Sequence, residues 1–257
     1  MARVMSVIGL EGFPLVKAGD DLAKMIVETA EKEGASLSDG DVVVIAQKIV
    51  SKAEGRVINL KDVVPSKEAE EMARAVLKDP RLVELILRES REIVKASSGA
   101  LIVKTRDGTV CLNAGIDKSN VAGRDNYALL PEDPDEAARK LRTDIMKLTG
   151  NRVSVVICDT YSRPFRRGQV EFAIGIAGIK PFKDYRGQRD LFGYVLRVKN
   201  VAIVDEIASA AELVMGQGKE AIPVAIIKNL NRAEESESSS IRDLNISKQE
   251  DLFKGTL

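Results

Sequence analysis

The apolar residues of this chain occur in two patterns, and each predicts a different kind of element. Residues 42–46 form an unbroken run of valine, isoleucine and alanine, and residues 153–158 form a second run rich in valine and isoleucine that contains one serine; both are typical of strands buried on both faces. Elsewhere apolar positions recur at spacings of three and four, as on the buried face of a helix. The predicted strands are 3–10, 42–46, 100–112 (a hairpin), 153–158, 171–177 and 222–227, and the predicted helices are 21–33, 67–77, 80–90, 133–149 and 201–215.

The predicted hairpin leads into a polar segment, 113–121, with the sequence Asn-Ala-Gly-Ile-Asp-Lys-Ser-Asn-Val. Asp107 and Gly108 favour the tight turn of the hairpin, because both residues tolerate positive φ. The polar segment then presents a carboxylate, an ammonium, a hydroxyl and an amide in succession: Asp117, Lys118, Ser119 and Asn120. These groups can hold a hard metal ion and a polyanion. Alternatively, they form an Asx or Ser turn that satisfies local backbone groups.

A second acidic strand end follows the buried run 153–158, where Asp159 and Thr160 come next in the chain. Carboxylates from two different strands, here Asp117 and Asp159, can converge on one or two hard cations. Such cations bridge nucleotide phosphates in many phosphate-handling enzymes. The two strand ends together therefore predict a metal-dependent phosphate site.

A predicted loop after Asp159 contains three arginines, Arg163, Arg166 and Arg167. Guanidinium groups suit carboxylate and phosphate oxygens because their donors form a planar fork. The position of the cluster next to an acidic strand end favours a role in binding substrate anions, and Arg163 and Arg166 are our candidates for it. A solvated surface cluster is the alternative.

Two further polar stretches are candidates for anion binding. Lys48 and Lys52 are four residues apart after the buried strand 42–46, so one helical turn would place both on the same face. Gln217 lies between two glycines that free the backbone amides to surround an anion. The alternatives are an exposed turn with two solvated lysines and an ordinary glycine stop of a helix.

The absence of histidine narrows the possible chemistry. Ser-His-Asp and Cys-His catalysis and His-ligated zinc are excluded within one chain. A metal would have oxygen ligands, which suits Mg²⁺ or Mn²⁺. There is also no Gly-x-x-x-x-Gly-Lys-Ser/Thr loop and no Gly-x-Gly-x-x-Gly motif at a strand-to-helix turn, so a P-loop nucleotidase and a dinucleotide fold are both unsupported.

Composition and charge indicate which partners and which cellular compartment suit this chain. The 39 basic and 39 acidic residues cancel, and with 4% aromatics this disfavours nucleic acid as a partner. Cys111 and Cys158 lie in apolar runs, which fits buried cysteines in a reducing cytoplasm. We find no signal peptide and no apolar run long enough for a membrane span. Residues 233–240 are acidic, serine-rich and poor in apolar residues, so we predict a core of 1–230, possibly with two lobes, and a flexible tail at 231–257.

Four motifs of the chain resemble those of the coenzyme F420-0:L-glutamate ligase family, and the resemblance runs from about Val7 to Leu230. They are Ser51-Lys-Ala-Glu-Gly-Arg56, Asn113-Ala-Gly-Ile-Asp-Lys-Ser-Asn120, Asp159-Thr160 with Arg163-Pro-Phe-Arg166, and Ala211-Glu-Leu-Val-Met-Gly-Gln217. Each motif by itself is modest, whereas four in this order are specific.

The resemblance implies a GTP-dependent ligase that joins one or more L-glutamates to coenzyme F420-0 through an acyl phosphate, releasing GDP and phosphate. It implies two divalent cations, Mg²⁺ or Mn²⁺, and a monovalent cation such as K⁺ that promotes activity. The implied fold is a two-domain mixed α/β arrangement that forms an intertwined homodimer. Related ligases with another acceptor, and a non-catalytic GTP-binding protein, are the alternatives.

The resemblance also implies roles for individual residues. Gln47 and Lys48 stand where members of the family have a small hydroxyl pair, although a lysine there can still meet phosphate. The implied metal ligands are Asp117, Asp159, Thr160 and Gln217. The implied nucleotide-binding residues are Phe13, Pro14, Leu15, Val16, Gln47, Lys48, Lys52, Asn120, Met215, Gly216, Gly218, Lys219, Glu220, Ala221 and Ile222.

Overall fold

The computed structural model describes residues 3–230, 233–247 and 249–251. These residues form a mixed α/β fold, which confirms the predicted fold class. The helices are α1 (Leu22–Lys32), α2 (Gln47–Ala53), α3 (Lys67–Val76), α4 (Pro80–Glu89), α5 (Pro134–Thr149) and α6 (Ile203–Met215). The strands are β1 (Ser6–Gly9), β2 (Val42–Ala46), β3 (Val57–Asn59), β4 (Ser90–Ser97), β5 (Ala100–Thr105), β6 (Val110–Leu112), β7 (Asn126–Ala128), β8 (Ser154–Arg163), β9 (Arg166–Ala177), β10 (Phe182–Asp184), β11 (Asn200–Ala202) and β12 (Val224–Lys228).

The described residues divide into two compact units. Unit 1 contains the described parts of 1–16, 20–50 and 133–243, and unit 2 contains those of 17–19, 51–132 and 244–257. The predicted boundary between core and tail lies at residues 231–232, which are outside the described residues. Residues 248 and 252–257 of the predicted tail are also outside them. The division into a core and a flexible tail therefore stays a prediction.

Unit 1 is built on a five-stranded sheet with the order β1-β12-β2-β8-β9. The central strands β2 and β8 pair in parallel, and their apolar runs are almost completely buried, as their sequence predicts. Helices α5 and α6 both pack against β9. Helix α5 begins with a side-chain cap, because Asp133 accepts a hydrogen bond from Glu136 N at 2.9 Å and Pro134 occupies the first turn.

A buried carboxylate in unit 1 connects three segments that are far apart in sequence. Asp135, at the start of α5, is 5% exposed and accepts a hydrogen bond from Ile176 N of β9 at 2.8 Å. It also accepts one from Ser240 Oγ at 2.6 Å and one from Ile241 N at 3.1 Å. Because a buried carboxylate requires such donors, these contacts tie 240–241 to the body of unit 1.

Unit 2 combines two helices with a three-stranded sheet of order β4-β5-β6 and a separate pair, β3-β7. Its core packs side chains of α3 and α4 against β5, including Val76, Ile86, Leu101 and Val103. Helix α4 also begins with a side-chain cap, because Asp79 accepts a hydrogen bond from Arg81 N at 2.9 Å and Pro80 begins the helix.

The sequence prediction missed three strands of unit 2. β3 follows α2, β4 follows directly after α4, and β7 lies in a stretch for which we predicted no strand. β4 is largely exposed and mixes charged with apolar residues, so its pattern has no clear period of two. All three strands are defined by their pairing, β3 with β7 and β4 with β5, and single-sequence patterns do not reveal such pairing.

No helix among the described residues is long and apolar enough to cross a membrane. Cys111 and Cys158 are both buried and form no disulfide. Burial raises the pKa of the Cys158 thiol well above its ordinary value, so this thiol remains protonated at neutral pH. A thiolate nucleophile at Cys158 is therefore unfavourable.

Candidate active site

Three strands of the unit 1 sheet end at the same edge. β2 pairs in parallel with β8, and β1 and β2 both pair antiparallel with β12, so β1, β2 and β8 run in one direction. Leu10 N donates a hydrogen bond to Val224 O at 2.9 Å, and Ala46 N donates one to Pro223 O at 2.9 Å, which connects these strand ends to the start of β12. We call this border of the sheet the carboxyl edge; ligands of open α/β sheets bind at such edges.

Four of the segments singled out in the sequence lie at the carboxyl edge. Residues 13–16 follow β1, and Gln47 begins α2 directly after β2. Asp159 continues β8 beyond Cys158, the last residue of β8 that pairs with β2. Residues 215–222 lead from the end of α6 into β12. The topology therefore brings together segments that are up to 200 residues apart in the sequence.

The side chains of these segments differ in exposure. Phe13 and Gln47 are only 7% and 2% exposed, so both lie inside unit 1, whereas Leu15 is 85% exposed. Lys48 is half-buried. A nucleotide that met Gln47 from solvent would therefore meet its backbone, because the side chain faces the interior.

The glycine-rich segment after α6 presents a backbone amide to an anion. Gly218 N donates a hydrogen bond to Glu220 Oε2 at 2.7 Å. Gly216 has a φ of 67°, and a Cβ there would lie 2.6 Å from Glu220 Cδ, so glycine is required for this close approach. The carboxylate of Glu220 shows that this turn can bind an anionic oxygen.

Thr160 and Gln217, two predicted metal ligands, are in contact. Thr160 Oγ1 lies 3.0 Å from Gln217 Oε1. Both also contact Glu171 in β9, since its Oε1 lies 3.1 Å from Thr160 Oγ1 and accepts a hydrogen bond from Gln217 Nε2 at 2.6 Å. We call Thr160, Glu171 and Gln217 the three-oxygen cluster.

Our sequence interpretation missed Glu171, which it placed only at the start of a strand. Glu171 is 5% exposed, and burial raises the pKa of its carboxyl group, an effect that hydrogen bonds from Gln217 and Thr160 oppose. The signal in the sequence was a single acidic residue at the start of an apolar strand. Its contact with Thr160 follows from the register of β8 and β9, in which the two residues are directly opposite.

Asp159 lies on the other face of the same strand. Successive side chains of an extended strand point to opposite sides, so Asp159 is directed away from the side of Thr160. Its cross-strand partner on that other side is Phe172, which stacks on Tyr161 with ring centroids 5.2 Å apart. Asp159 and Thr160, although adjacent in β8, therefore lie on opposite faces of the sheet.

The arginines lie on a hairpin, which corrects our prediction of a loop at 161–168. β8 extends to Arg163, β9 begins at Arg166, and only Pro164 and Phe165 form the turn between them. Phe165 has a φ of 57°, which such a tight turn requires. Arg163 and Arg166 are directly opposite each other in the pairing, and the buried Nε of Arg163 makes no hydrogen bond.

In unit 2, the Asp117 segment forms the turn that was one of our two interpretations. Asp117 accepts hydrogen bonds from Ser119 N at 2.8 Å and Ser119 Oγ at 2.6 Å, and its backbone pairs with Ala128. Lys118 Nζ donates to Val121 O and Gly123 O. Lys118 and Ser119 are therefore turn formers, and a carboxylate held in this way is also oriented for a ligand.

Lys52 and Asn120, two predicted nucleotide contacts, meet within unit 2. Lys52 Nζ donates a hydrogen bond to Asn120 O at 2.8 Å, although the two residues are 68 positions apart. Asn120 has a φ of 52°, a left-handed conformation that asparagine tolerates better than most residues. The structure thus brings the ammonium group of Lys52 to the backbone carbonyl of Asn120.

The side chains around Thr160 and Gln217 offer oxygen atoms that can bind a divalent cation. Within the described residues, no three Cys, Asp or Glu side chains cluster closely enough to form a metal site by themselves. Thr160, Gln217 and Glu171 instead combine a hydroxyl, an amide carbonyl and a carboxylate, all of them oxygen donors of the kind that Mg²⁺ and Mn²⁺ prefer. The residues therefore fit a hard cation.

Comparison with known proteins gives the family. A family model described as F420-0:Gamma-glutamyl ligase matches residues 12–229. A protein named coenzyme F420:L-glutamate ligase from Methanothermobacter thermautotrophicus is 45% identical over 252 residues, with 98% of this chain and 99% of that protein covered. Proteins of the same name from Methanocaldococcus jannaschii and Archaeoglobus fulgidus are each 44% identical, over 98% of both chains. The chain belongs to the F420-0:gamma-glutamyl ligase family.

Proposed function

We propose that this protein is a GTP-dependent ligase that adds one or more L-glutamates to coenzyme F420-0, releasing GDP and phosphate, in the cytoplasm. The main support is the similarity to proteins named coenzyme F420:L-glutamate ligase, which extends over nearly the whole of both chains. The gathering of glycine, carboxylate and hydroxyl groups at the carboxyl edge is consistent with this chemistry.

The proposed reaction has two steps. A carboxylate oxygen of F420-0 attacks the γ-phosphorus of GTP, a P–O bond forms, and the bond to the GDP oxygen breaks. The amine of glutamate then attacks the acyl carbon, phosphate leaves, and the amine proton passes to solvent or phosphate. This chemistry depends on charge neutralisation and positioning more than on an imidazole base, so a chain without histidine is suited to it.

We propose that the nucleotide binds along the segments that the family resemblance indicated. The amide of Gly218, which already binds a carboxylate oxygen, supports a phosphate contact there. The contact between Lys52 and Asn120 supports a second contact to GTP, in which an ammonium group meets phosphate.

We propose two divalent cations, Mg²⁺ or Mn²⁺, with Asp117, Asp159, Thr160 and Gln217 as ligands, and K⁺ as an activator. When bound, the divalent cations neutralise charge on the transferred phosphoryl group. Thr160 and Gln217 support this assignment because their oxygens are in contact. Arg163 and Arg166 are proposed to bind the carboxylates or phosphates of the substrates, as two opposed guanidinium groups on one hairpin can do.

Mass spectrometry after incubation with F420-0, GTP, L-glutamate and Mg²⁺ tests the proposed function. We expect products heavier than F420-0 by one or more glutamyl units, together with GDP. Matched reactions with ATP in place of GTP, and without glutamate, are the controls. GDP release without any glutamylated product would favour another acceptor, and GTP binding without GDP release would favour a non-catalytic binding protein.

We also propose a homodimer, and an exposed apolar stretch of unit 1 supports it. Leu191, Phe192 and Val198 are 97%, 96% and 89% exposed, and they lie in one segment between β10 and β11. Contiguous exposed apolar residues of this size usually mark an interaction surface. A second copy of the chain is the partner that the family resemblance implies.

Replacing Leu191 and Phe192 together by serine is expected to convert the dimer to a monomer, because both apolar side chains would be lost from the proposed interface. Light scattering coupled to size-exclusion chromatography measures the mass. Val64→Ser, which changes another exposed apolar residue of 79% exposure, is the control and should leave the mass unchanged. A monomeric wild-type protein would contradict the dimer without affecting the proposed activity.

A further inference from the structure

The cation proposed at Thr160 and Gln217 lacks an anionic donor among the ligands that the sequence suggested. A hydroxyl and an amide carbonyl are both neutral, whereas protein sites for Mg²⁺ generally include one or two carboxylates. The nearest carboxylate in sequence, Asp159, is directed to the opposite face of β8. A further acidic side chain is therefore required on the face of Thr160.

Glu171 has the position that such a ligand requires. Its Oε1 lies 3.1 Å from Thr160 Oγ1, and Thr160 Oγ1 lies 3.0 Å from Gln217 Oε1. Oxygens that bind an octahedral ion at about 2.1 Å are roughly 3 Å apart along the edges of the octahedron. Both measured separations therefore match the spacing of neighbouring ligands around one hard cation.

The number of protons in the three-oxygen cluster also favours a cation. Thr160 has a single hydroxyl proton, but two oxygen acceptors lie within 3.1 Å of its Oγ1. The hydroxyl can donate to only one of them. With Glu171 ionised, the other approach brings two oxygens together without a proton, and a bound cation, which favours the ionised form, would stabilise both approaches at once.

The second carboxylate oxygen of Glu171 has no nitrogen or hydroxyl donor. Glu171 is 5% exposed, its Oε2 is buried, and besides Thr160 and Gln217 only the weak thiol donor of Cys158 lowers the pKa of this carboxyl group through a side-chain hydrogen bond. Within the described part of the chain, no lysine or arginine forms an ion pair with this side chain. A buried carboxylate without a countercharge is costly in free energy, and a divalent cation beside it would supply that charge.

We propose that Glu171 is the anionic ligand of the cation at Thr160 and Gln217. By accepting a hydrogen bond from Gln217 Nε2, Glu171 also turns the carbonyl oxygen of Gln217 toward the same cation. This inference rests on the metal dependence proposed above, and it adds to that proposal a residue that the family motifs in the sequence did not indicate.

The inference is tested by titrating the full-length protein with Mn²⁺ in the absence of nucleotide. Electron paramagnetic resonance and calorimetry measure the binding. Glu171→Gln keeps the shape of the side chain and removes its charge, so we expect affinity for one Mn²⁺ to fall about tenfold or more. In EDTA this variant should melt at the same temperature as the wild type or higher, because an uncharged amide costs less to bury. Added Mn²⁺ should then raise the melting temperature of the wild type more than that of the variant.

Glu212→Gln is the matched control, because the charge of Glu212 acts on Glu171 although its side chain is not part of the cluster. Equal losses of Mn²⁺ affinity in both variants, unchanged affinity in Glu171→Gln, or no Mn²⁺ binding by the wild type would each overturn the inference. A lower melting temperature of Glu171→Gln in EDTA would assign Glu171 a structural role instead. Wild-type protein that binds Mn²⁺ through Glu171 but forms no glutamylated F420 would contradict only the proposed function.

Discussion

Replacing Asp159 by asparagine is expected to lower the rate of GTP-dependent glutamylation by about a thousandfold or more, since a divalent cation contributes several kcal/mol to such a reaction. Asparagine has nearly the same shape but lacks the negative charge that binds the cation. Asp159 is half-buried and lies at the carboxyl edge, so the substitution leaves the apolar core of unit 1 unchanged. Asp117→Asn, in unit 2, is expected to have a similar effect on turnover.

The rate is measured as GDP release and as glutamylated product at saturating GTP and ordinary Mg²⁺ concentration. Glu206→Gln removes an exposed carboxylate of α6 and should keep wild-type activity. Thermal melting of each variant separates loss of chemistry from loss of fold. Near-normal turnover of Asp117→Asn or Asp159→Asn would contradict the assignment of that residue as a metal ligand.

Replacing Gly175 by alanine is expected to lower the free energy of unfolding by about 3 kcal/mol, the upper part of the range for overpacked sites. A Cβ at Gly175 would lie 2.4 Å from Pro134 O and 2.5 Å from Pro134 C. These are backbone atoms of the first turn of α5, which the Asp133 cap and the buried Asp135 hold in place. The clash therefore cannot be relieved by rotating a side chain, and α5 or β9 has to shift.

Urea unfolding of the variant measures this effect. Gly150→Ala is a suitable comparison, because Gly150 has a φ of 74° and open space around it, so alanine there costs only backbone strain of about 1 kcal/mol. Gly175 has no positive φ, so the two variants separate steric contact from conformational strain. Equal destabilisation of the two variants would show that α5 and β9 move apart at little cost.

Most helices of the fold were predicted from the sequence. Their prediction succeeded because capping and periodicity are local properties of the chain, as Asp79 and Pro80 at the start of α4 illustrate. The hairpin of β5 and β6, with its Asp107 and Gly108 turn, was predicted for the same reason.

The pairing of strands was harder to predict from the sequence than the helices were. The arginine segment was interpreted as a loop because Pro164 and Gly168 are typical of loops, but pairing with β9 extends β8 to Arg163. β4 and β7 were missed because their partners, and not their own side-chain patterns, define them as strands. Asp117 and Asp159 became candidates because polar groups directly after an apolar run are visible in the sequence, and their role as metal ligands stays a prediction.

The sequence alone determined which class of chemistry we propose, because a chain without histidine, with Asp117 and Asp159 following apolar strand-like runs, leaves oxygen-ligated cations as the natural partners of a phosphate site. Only the tertiary structure decided which side chains share a site. Thr160 meets Glu171 across the β8–β9 register, and Gln217 reaches both from the end of α6, 57 residues beyond Thr160. Such contacts depend on strand register and helix packing, which connect residues far apart in the chain and leave no local pattern in the sequence.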